Sequence, residues 1–321
     1  MTTLLFCLLA LLLAVSGLAG FSAVMAWGIE KAVPPQGGFL DLDGERLHVL
    51  DKGRGLAVVL IHGLSGQMGN FTHSLVERLS GDFRVVAVDR PGSGYSTRAP
   101  DAPAGVRAQA ATLAKAIRKL NLERPVIVGH SLGGAVALAI ALDHPDCAGA
   151  LALISPATHP VAAPPLMFRG LVLRSATLRL LFAWTLATPV ALIGREWGKR
   201  QAFAPEPVPA DFGAAGGGLL ALRPSNIFAS SSDMMAAMDR DGIEDMTRRY
   251  PSLQMPVGIL FGRSDPILDW REQGEAMKKE LPALDLEIVE GGHMLPITQP
   301  EACAAFIRRM AERVPASAPA L

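Results

Sequence analysis

Residues 126–142, VIVGHSLGGAVALAIAL, limit the possible folds more than any other stretch of this chain. Residues 126–129 form a short apolar, β-branched run, which is typical of a fully buried strand. From Leu132 the composition changes to alanine and leucine, the strongest helix formers, and nothing breaks the pattern before Pro145. The sequence therefore predicts a strand and a helix joined directly by a short turn.

That turn has the pattern G-x-S-x-G, from Gly129 through Ser131 to Gly133. In a nucleophile elbow of this kind, the serine occupies a strained strand-to-helix turn and its hydroxyl stands exposed above the sheet. The glycines are needed because a Cβ atom at their positions would collide with neighbouring backbone. The pentapeptide alone is common, and the other interpretation is a glycine-rich turn with an incidental serine. Its place between a strand and a helix favours Ser131 as a nucleophile.

The composition argues against two kinds of site. Half of the 321 residues are hydrophobic and the formal net charge is zero, so nothing indicates a basic surface for nucleic acid. Cys7, Cys147 and Cys303 are an odd number of cysteines at unrelated spacings, which indicates neither a disulfide framework nor a metal site. We therefore expect no nucleic-acid partner and no metal.

Residues 4–27 contain no charged side chain. A helix of that length spans about 36 Å, enough to cross a hydrocarbon core of about 30 Å with some tilt, and Trp27 would lie at the interface. We expect a single-pass membrane anchor in residues 1–30, followed by a linker at 31–38. The alternative is a signal peptide cleaved after residues 24–26, which would give a secreted or periplasmic protein. Against it, the apolar run is unusually long and no Lys or Arg precedes it.

After the linker, strand patterns alternate with helix patterns. Residues 39–50 alternate apolar and polar side chains around an Asp-Gly turn, which predicts a hairpin. Apolar runs predict further strands at 56–61, 83–88, 126–129, 151–154, 257–261 and 286–289. Helical patterns occur at 70–79, 106–120, from 132 onward, at 270–280 and at 300–314. This alternation predicts an α/β fold with a mostly parallel, doubly wound sheet covered on both faces.

The alternation stops at Pro156 and resumes near residue 257. The residues between contain proline clusters, a glycine run at 216–218 and helical stretches, but no strand pattern. We therefore expect one α/β core, residues 39–157 and 251–316, interrupted by a helical insertion at 158–250, which we call the cap.

A serine hydroxyl needs a base to take its proton, and the base needs a third group to orient it. Of the seven histidines, His293 follows the last strand in a loop with two glycines that can project it over the carboxyl edge of the sheet. The acid should lie between the nucleophile and this histidine. Asp265 follows the strand at 257–261 and reaches the same edge. Asp269 is the alternative, but helix capping explains it adequately.

The transition state also needs hydrogen-bond donors for its oxyanion. The elbow supplies the backbone N–H of Leu132, and the second donor is expected in the loop after His62-Gly63, at the N–H of Leu64. We expect His62 to shape this loop rather than to take part in the chemistry.

Five motifs in fixed order, VVLIHG, DRPGSGYS, GHSLGG, GRSDPI and GGHMLP, resemble the α/β-hydrolase fold family. The resemblance is to the serine-nucleophile branch of esterases, lipases, cofactor-free haloperoxidase-like enzymes and carbon–carbon bond hydrolases. It covers residues 39 to about 314 apart from the insertion. It implies a triad of Ser131, Asp265 and His293 under a helical cap. Epoxide hydrolases and haloalkane dehalogenases, which use an aspartate nucleophile, are disfavoured because position 131 is serine. No substrate is implied.

The first half of the cap combines basic and apolar residues. Between residues 166 and 200 the charged residues are Arg169, Arg174, Arg179, Arg195, Lys199 and Arg200 against Glu196 alone, with Trp184 and Trp197 among them. One interpretation is a helix packed on the core with solvated arginines. The other is a basic, aromatic face that lies on anionic lipid near the anchor.

Together these features predict a membrane-anchored serine hydrolase that cleaves a small-molecule or lipid-like carboxylic ester through an acyl-enzyme and needs no cofactor. Acyl transfer or perhydrolysis on the same triad stays open, because the shape of the cap decides which nucleophile replaces water. A non-catalytic binding protein of the same fold is disfavoured because all three triad residues are in place.

Overall fold

The computed structural model describes residues 2–99, 101–238 and 240–315. The strands are β1 (Gly38–Leu42), β2 (Glu45–Lys52), β3 (Ala57–Ile61), β4 (Arg84–Val88), β5 (Val126–His130), β6 (Ala150–Ile154), β7 (Val257–Gly262) and β8 (Asp285–Val289). The α-helices are α1 (Thr2–Ala32), α2 (Gly69–Thr72), α3 (Leu75–Leu79), α4 (Val106–Lys119), α5 (Leu132–Asp143), α6 (Ala176–Phe182), α7 (Thr188–Phe203), α8 (Pro224–Ala237), α9 (Arg240–Arg249), α10 (Ala276–Glu280), α11 (Leu295–Thr298) and α12 (Pro300–Glu312). Single π-helical turns occur at Ala183–Ala187 and Arg271–Glu275.

The eight strands form one sheet in the order β1-β2-β4-β3-β5-β6-β7-β8. The hairpin of β1 and β2 is antiparallel, and β2 also pairs antiparallel with β4. From β4 to β8 every neighbouring pair is parallel. The prediction of a mostly parallel, doubly wound sheet is therefore confirmed, and each predicted strand is present within two residues of its expected bounds.

The central strands are apolar on both sides because helices cover both faces of the sheet. Along β3, Val59 and Ile61 join a cluster with α4 and α5, whereas Val58 and Leu60 join a cluster with α3 and α12. This double burial explains why these strands appear in the sequence as continuous apolar runs rather than as alternating patterns.

One predicted helix is divided in the structure. The pattern at 70–79 predicts a single helix, but α2 and α3 are separated at His73 and Ser74. Ser74 has φ −154° and ψ −31°, which is not a helical conformation, and its hydroxyl donates a hydrogen bond to the Pro296 carbonyl oxygen at 3.3 Å. A contact with a residue so distant in the chain leaves no trace in local periodicity.

Between β6 and β7 the described residues form helices and loops without a strand. The helices α6, the π-turn Ala183–Ala187 and α7 run on continuously as one long helix, Ala176–Phe203. The end of this segment belongs with the core, because Ile243 and Met246 of α9 and the following Tyr250 pack in the same apolar cluster as α4 and α5.

The N-terminal helix is longer than expected and contacts the cap. It ends at Ala32, two residues into the segment predicted as linker. Its Ile29 is buried against Leu220 and Leu222 of the cap, and Glu30 forms an ion pair with Arg223 at 2.7 Å. Within the described residues, α1 and Ala176–Phe203 are the two helices long and apolar enough to cross a membrane.

A buried ion-pair network fastens the cap to the core. Asp233 on α8 accepts hydrogen bonds from Arg90 at 2.7 Å and from Arg98 at 2.6 Å. Arg90, which follows β4, also donates to Gln109 on α4 at 2.6 Å. The Arg90 and Asp233 side chains are almost completely buried, at 0% and 1% exposure.

We expect Asp233→Asn to lower the free energy of unfolding by about 3–5 kcal/mol, because it leaves two arginines facing each other without their buried counter-charge. Chemical denaturation in detergent micelles measures this change. The control is Asp245→Asn, since Asp245 is partly exposed and its nearest arginine nitrogen is 3.5 Å away; we expect less than about 1 kcal/mol there. Equal losses in the two variants would contradict a structural role for the network.

Candidate active site

The predicted elbow is present between β5 and α5. Ser131 has φ 55° and ψ −124°, a conformation that non-glycine residues adopt only when the surrounding structure enforces it. The strand and helix approach so closely that a Cβ atom at Gly129 would lie 2.5 Å from the Gly133 carbonyl oxygen. A Cβ atom at Gly133 would lie 2.2 Å from the carbonyl oxygen of Ile61 on β3. The glycines of the motif are therefore required by packing.

Asp265 and His293 lie together at the carboxyl edge of the sheet, after β7 and β8. The His293 Nδ1 atom is 2.7 Å from Asp265 Oδ2, and both side chains are buried. The other carboxylate oxygen of Asp265 accepts backbone N–H bonds from Ile267 at 2.8 Å and Leu268 at 3.0 Å. Burial opposes ionisation, but the charge and hydrogen bond of His293 and the two backbone donors outweigh it. They hold the pKa of Asp265 below its ordinary value.

The alternative acid has different surroundings. Asp269 Oδ1 accepts the backbone N–H of Arg271 at 2.7 Å, and the Asp269 side chain is half exposed. This contact is the capping role that the sequence suggests for it. Of the two candidate carboxylates, the structure brings Asp265 to His293.

Ser131 and His293 both line a cavity of about 360 Å³ between the core and the cap. Leu64 lines it from the core, and Arg195 and Lys199 line it from the cap. A second cavity of about 80 Å³ also reaches Ser131 and Leu64, and its walls are mostly apolar, including Leu132, Phe168, Met234, Ile243 and Leu268. The serine therefore lies between a larger space with charged groups and a smaller apolar one.

The loop after β3 lies directly beside Ser131. A Cβ atom at Gly63 would be 2.8 Å from Ser131 Cβ and 3.2 Å from its Oγ, so only glycine fits here. In the part of the chain that the structure describes, the backbone N–H groups of Leu64 and Leu132 donate to no other protein group. Two free donors thus stand on the residues predicted to supply them.

Arg90 is a site residue that the sequence reasoning missed. Its guanidinium donates to the backbone oxygens of His62 at 2.9 Å and Gly63 at 3.0 Å, so it holds the loop that carries Leu64. The only signal in the sequence is the position of Arg90 within DRPGSGYS. Its acceptors lie 27 and 28 residues earlier in the chain.

Two buried histidines flank the site. His62 lies between the Gly63 carbonyl oxygen, 2.8 Å from Nδ1, and the Arg90 backbone N–H, 2.9 Å from Nε2. Burial and the charge of Arg90 lower the pKa of His62 to about 4. His130 places Nε2 at 2.9 Å from the His293 carbonyl oxygen. Burial and the nearby His293 lower its pKa to about 3. Both rings are therefore neutral at pH 7, and His130 donates its Nε2–H to the backbone of His293.

No group of three or more His, Cys, Asp or Glu residues suited to a metal ion occurs among residues 2–99, 101–238 and 240–315. The groups brought together at the site are a serine, a histidine, a carboxylate and backbone N–H groups. These are the groups from which an acyl-transfer site is built.

Comparisons with known proteins identify the family of the fold. The alpha/beta hydrolase fold profile matches residues 57–300. The chain is 30% identical over 277 residues to the Mycobacterium tuberculosis protein Rv2715, covering 84% of this chain and 78% of that protein. A thermophilic esterase from Thermogutta terrifontis superposes with a TM-score of 0.66 at 24% identity, covering 87% of this chain and 99% of that one.

A structure described as a membrane phospholipase A superposes with a TM-score of 0.62 at 23% identity, covering 98% of this chain and 99% of that one. At these identities the likeness to both solved structures establishes the fold alone. The family profile spans most of the core and the cap, and the resemblance seen in the five motifs is confirmed. The chain therefore belongs to the α/β-hydrolase fold family.

Proposed function

We propose that this protein is a serine hydrolase that cleaves a carboxylic ester through an acyl-enzyme. The observation that carries the proposal is the shared position of Ser131 and His293 on one cavity, with His293 held by a buried carboxylate. Membership of a hydrolase-fold family supports the reaction class, and the serine at the elbow supports the covalent route.

In this mechanism Ser131 Oγ attacks the ester carbonyl while His293 Nε2 takes the hydroxyl proton. The same imidazolium then gives the proton to the departing alkoxide, so the alcohol leaves neutral. Asp265 accepts the Nδ1–H bond, which fixes the imidazole tautomer and stabilises the charge that forms on it. A water molecule, deprotonated by His293, attacks the acyl-enzyme; the Ser131 Oγ–acyl bond then breaks, and His293 returns the proton to Oγ as the acid is released.

The N–H groups of Leu64 and Leu132 would hold the oxyanion of the tetrahedral intermediate. Arg90 acts through the loop: it touches no reacting atom, but it holds the backbone oxygens next to Leu64. The charge of Arg90 is balanced by Asp233 on the cap. The position of the cap and the geometry of the loop that carries Leu64 therefore depend on the same guanidinium.

His293 is the base best suited to this chemistry because the other nearby histidines are committed elsewhere. His62 uses both ring nitrogens in contacts with backbone groups. His130 uses Nε2, and the pKa values of both lie too low for efficient proton transfer at pH 7.

The cavities and the N-terminal helix support an apolar, lipid-like ester as the substrate class. The smaller cavity offers an apolar space on one side of Ser131, and the larger one offers charged side chains of both signs on the other, at Arg195, Glu196 and Lys199. We propose that α1 is a retained membrane anchor. The contact between Ser22 and the cap supports retention, because signal cleavage after residue 26 would remove it.

Labelling with a fluorophosphonate probe, followed by a panel of esters of increasing chain length, tests the proposal. We expect Ser131→Ala to abolish both labelling and ester hydrolysis while the fold is retained, since the hydroxyl is not part of the core. Labelling that persists in Ser131→Ala would remove this serine from the nucleophile role.

Asp265→Asn should lower turnover by about 10⁴-fold, because an amide cannot hold the imidazole in its productive tautomer. The matched variant Asp269→Asn should change turnover less than about twofold, since asparagine is as good as aspartate at the N-terminus of a helix. Steady-state hydrolysis of a soluble ester measures both, and the reverse order of effects would move the acid to position 269.

The buried neutral histidines predict acid sensitivity. The unfolded chain protonates them near pH 6.5, whereas the folded protein resists protonation of His62 down to about pH 4 and of His130 down to about 3. The free energy of unfolding therefore does not depend on these histidines above pH 6.5. It falls as the pH drops toward 4, by about 1.4 kcal/mol per pH unit for each histidine. The lowered pKa of Asp265 changes the free energy of unfolding only below about pH 3.8, the ordinary pKa of an aspartate.

Chemical denaturation at several pH values between 7 and 4 measures this slope. His130→Gln should reduce this slope by about 1.4 kcal/mol per pH unit. His144→Gln, a change at a partly exposed position, serves as the control. A slope that is unaltered in His130→Gln would contradict the assignment.

A further inference from the structure

An apolar stripe runs along the outer side of the cap helix Ala176–Phe203. We call this set the exposed stripe; its side chains are 47–87% exposed: Leu178, Leu181, Leu186, Val190, Ile193 and Trp197. Successive members are three, five, four, three and four residues apart. The step of five crosses the π-turn Ala183–Ala187, where one extra residue per turn keeps both neighbours on the same side of the helix.

The exposed stripe is unusual for a surface in water. Residues 180–194 contain no charged side chain, and the described part of the chain leaves the stripe uncovered. The opposite side of the same helix is packed, with Ala183, Ala187 and Thr188 buried. A contiguous apolar surface of this length marks a contact with a protein or a membrane.

Contacts with α1 show at which point along the proposed anchor the cap helix lies. Ser22 is fully buried and its Oγ lies 3.5 Å from the carbonyl oxygen of Thr185, in the π-turn of the cap helix. Ser22 precedes Trp27 by five residues, which is about 7.5 Å along a helix. Lys31 lies over the Trp27 ring at 3.6 Å, and tryptophan is enriched at the membrane interface.

We propose that the cap helix lies in the membrane interface with the exposed stripe in the hydrocarbon, and that a lipid ester reaches the catalytic cavity from this leaflet. The depth of about 7.5 Å falls within the 5–10 Å at which interfacial amphipathic helices are buried. The bilayer is the occupant, rather than a second copy of the chain, because the helix that touches the cap is the proposed anchor itself. The route of the lipid rests on the proposed esterase function; the position of the helix does not.

The charges near the stripe fit this placement. They lie toward its two ends, with Arg179 near the start and Arg195, Glu196, Lys199 and Arg200 near the finish. Glu196 pairs with Arg195 at 3.4 Å and with Lys199 at 2.9 Å, whereas Arg200 is exposed and can meet phosphate groups of lipid. The basic residues therefore frame an apolar face instead of forming a basic one.

One helix separates the bilayer from the catalytic cavity in this arrangement. Ile193 and Trp197 belong to the exposed stripe, while Arg195 and Lys199 in the same turns line the cavity that contains Ser131. A lipid moving around this helix passes from hydrocarbon to the cavity without crossing water.

The position of the cap helix in the membrane can be measured without an assay of enzyme activity. The chain has four tryptophans, at positions 27, 184, 197 and 270. We would prepare full-length single-tryptophan variants, with phenylalanine at the other three positions, in vesicles of phosphatidylcholine with and without acyl chains brominated at carbons 6 and 7. Trp184 is next to Thr185 and 42% exposed, so bromolipid should reduce its emission by about half or more, close to the value for Trp27.

Trp270 is the negative control, because it packs against the core cluster away from the cap helix. We expect almost no quenching there. The proposal would be overturned if bromolipid quenches Trp27 but quenches Trp184 no more than Trp270. Coverage of the stripe by a second copy of the chain would give that result.

The lipid route has its own test. The double variant Val190→Asp with Ile193→Asp should lower the ratio of vesicle-ester to soluble-ester hydrolysis by about tenfold, because carboxylates oppose burial in hydrocarbon. Phe39→Asp, which introduces one carboxylate at an exposed apolar position on β1 away from the cap helix, should leave the ratio within about twofold. An unchanged ratio in the double variant would overturn the route. Loss of both hydrolysis reactions in the unsubstituted protein, with Trp184 still quenched, would instead reject the esterase function.

Discussion

The close approach of β5 and α5 at the elbow is the constraint on which the site depends. Ser131 keeps its strained backbone because its N–H donates to Ile154 on β6, and its carbonyl oxygen accepts from Gly134 and Ala157. The strand before it is buried between β3 and β6, so it cannot relax. Strain at one residue is thus maintained by the packing of three strands and one helix, and the hydroxyl is fixed above the sheet before any substrate binds.

Around this fixed serine, buried polar groups position the remaining parts of the site. His130 binds the backbone of His293, and Arg90 binds the backbone of the loop beside Ser131. Because Arg90 also meets Asp233 on the cap, the element that covers the cavity and the loop with the proposed oxyanion donor are connected through one side chain. A cap that shifts would disturb a buried charge pair, so this interaction favours a single arrangement of cap and core.

The sequence predicts the sheet well because its central strands are buried on both faces, which makes each a continuous apolar run. It also predicts which residues meet at the carboxyl edge, since Asp265 and His293 directly follow strands. What it misses depends on distant contacts: Ser74 divides a predicted helix through a bond to Pro296, and Asp233 lies 143 residues from Arg90. Neither pairing leaves a local pattern. The roles of the triad residues in catalysis stay predictions, although their geometry is compatible with them.

The N-terminal helix shows a second limit of local sequence patterns. Composition alone describes α1 as an apolar segment, but not the buried Ser22 or the pairing of Glu30 with Arg223. These contacts join the helix to the cap. Only five residues separate the end of α1 from the start of β1, at most about 18 Å of extended chain, and the Tyr95 hydroxyl donates to the carbonyl oxygen of Val33 within them. If α1 spans a membrane as proposed, the catalytic cavity is therefore held at the bilayer surface by a short connection and a packed contact, rather than tethered at the end of a flexible linker.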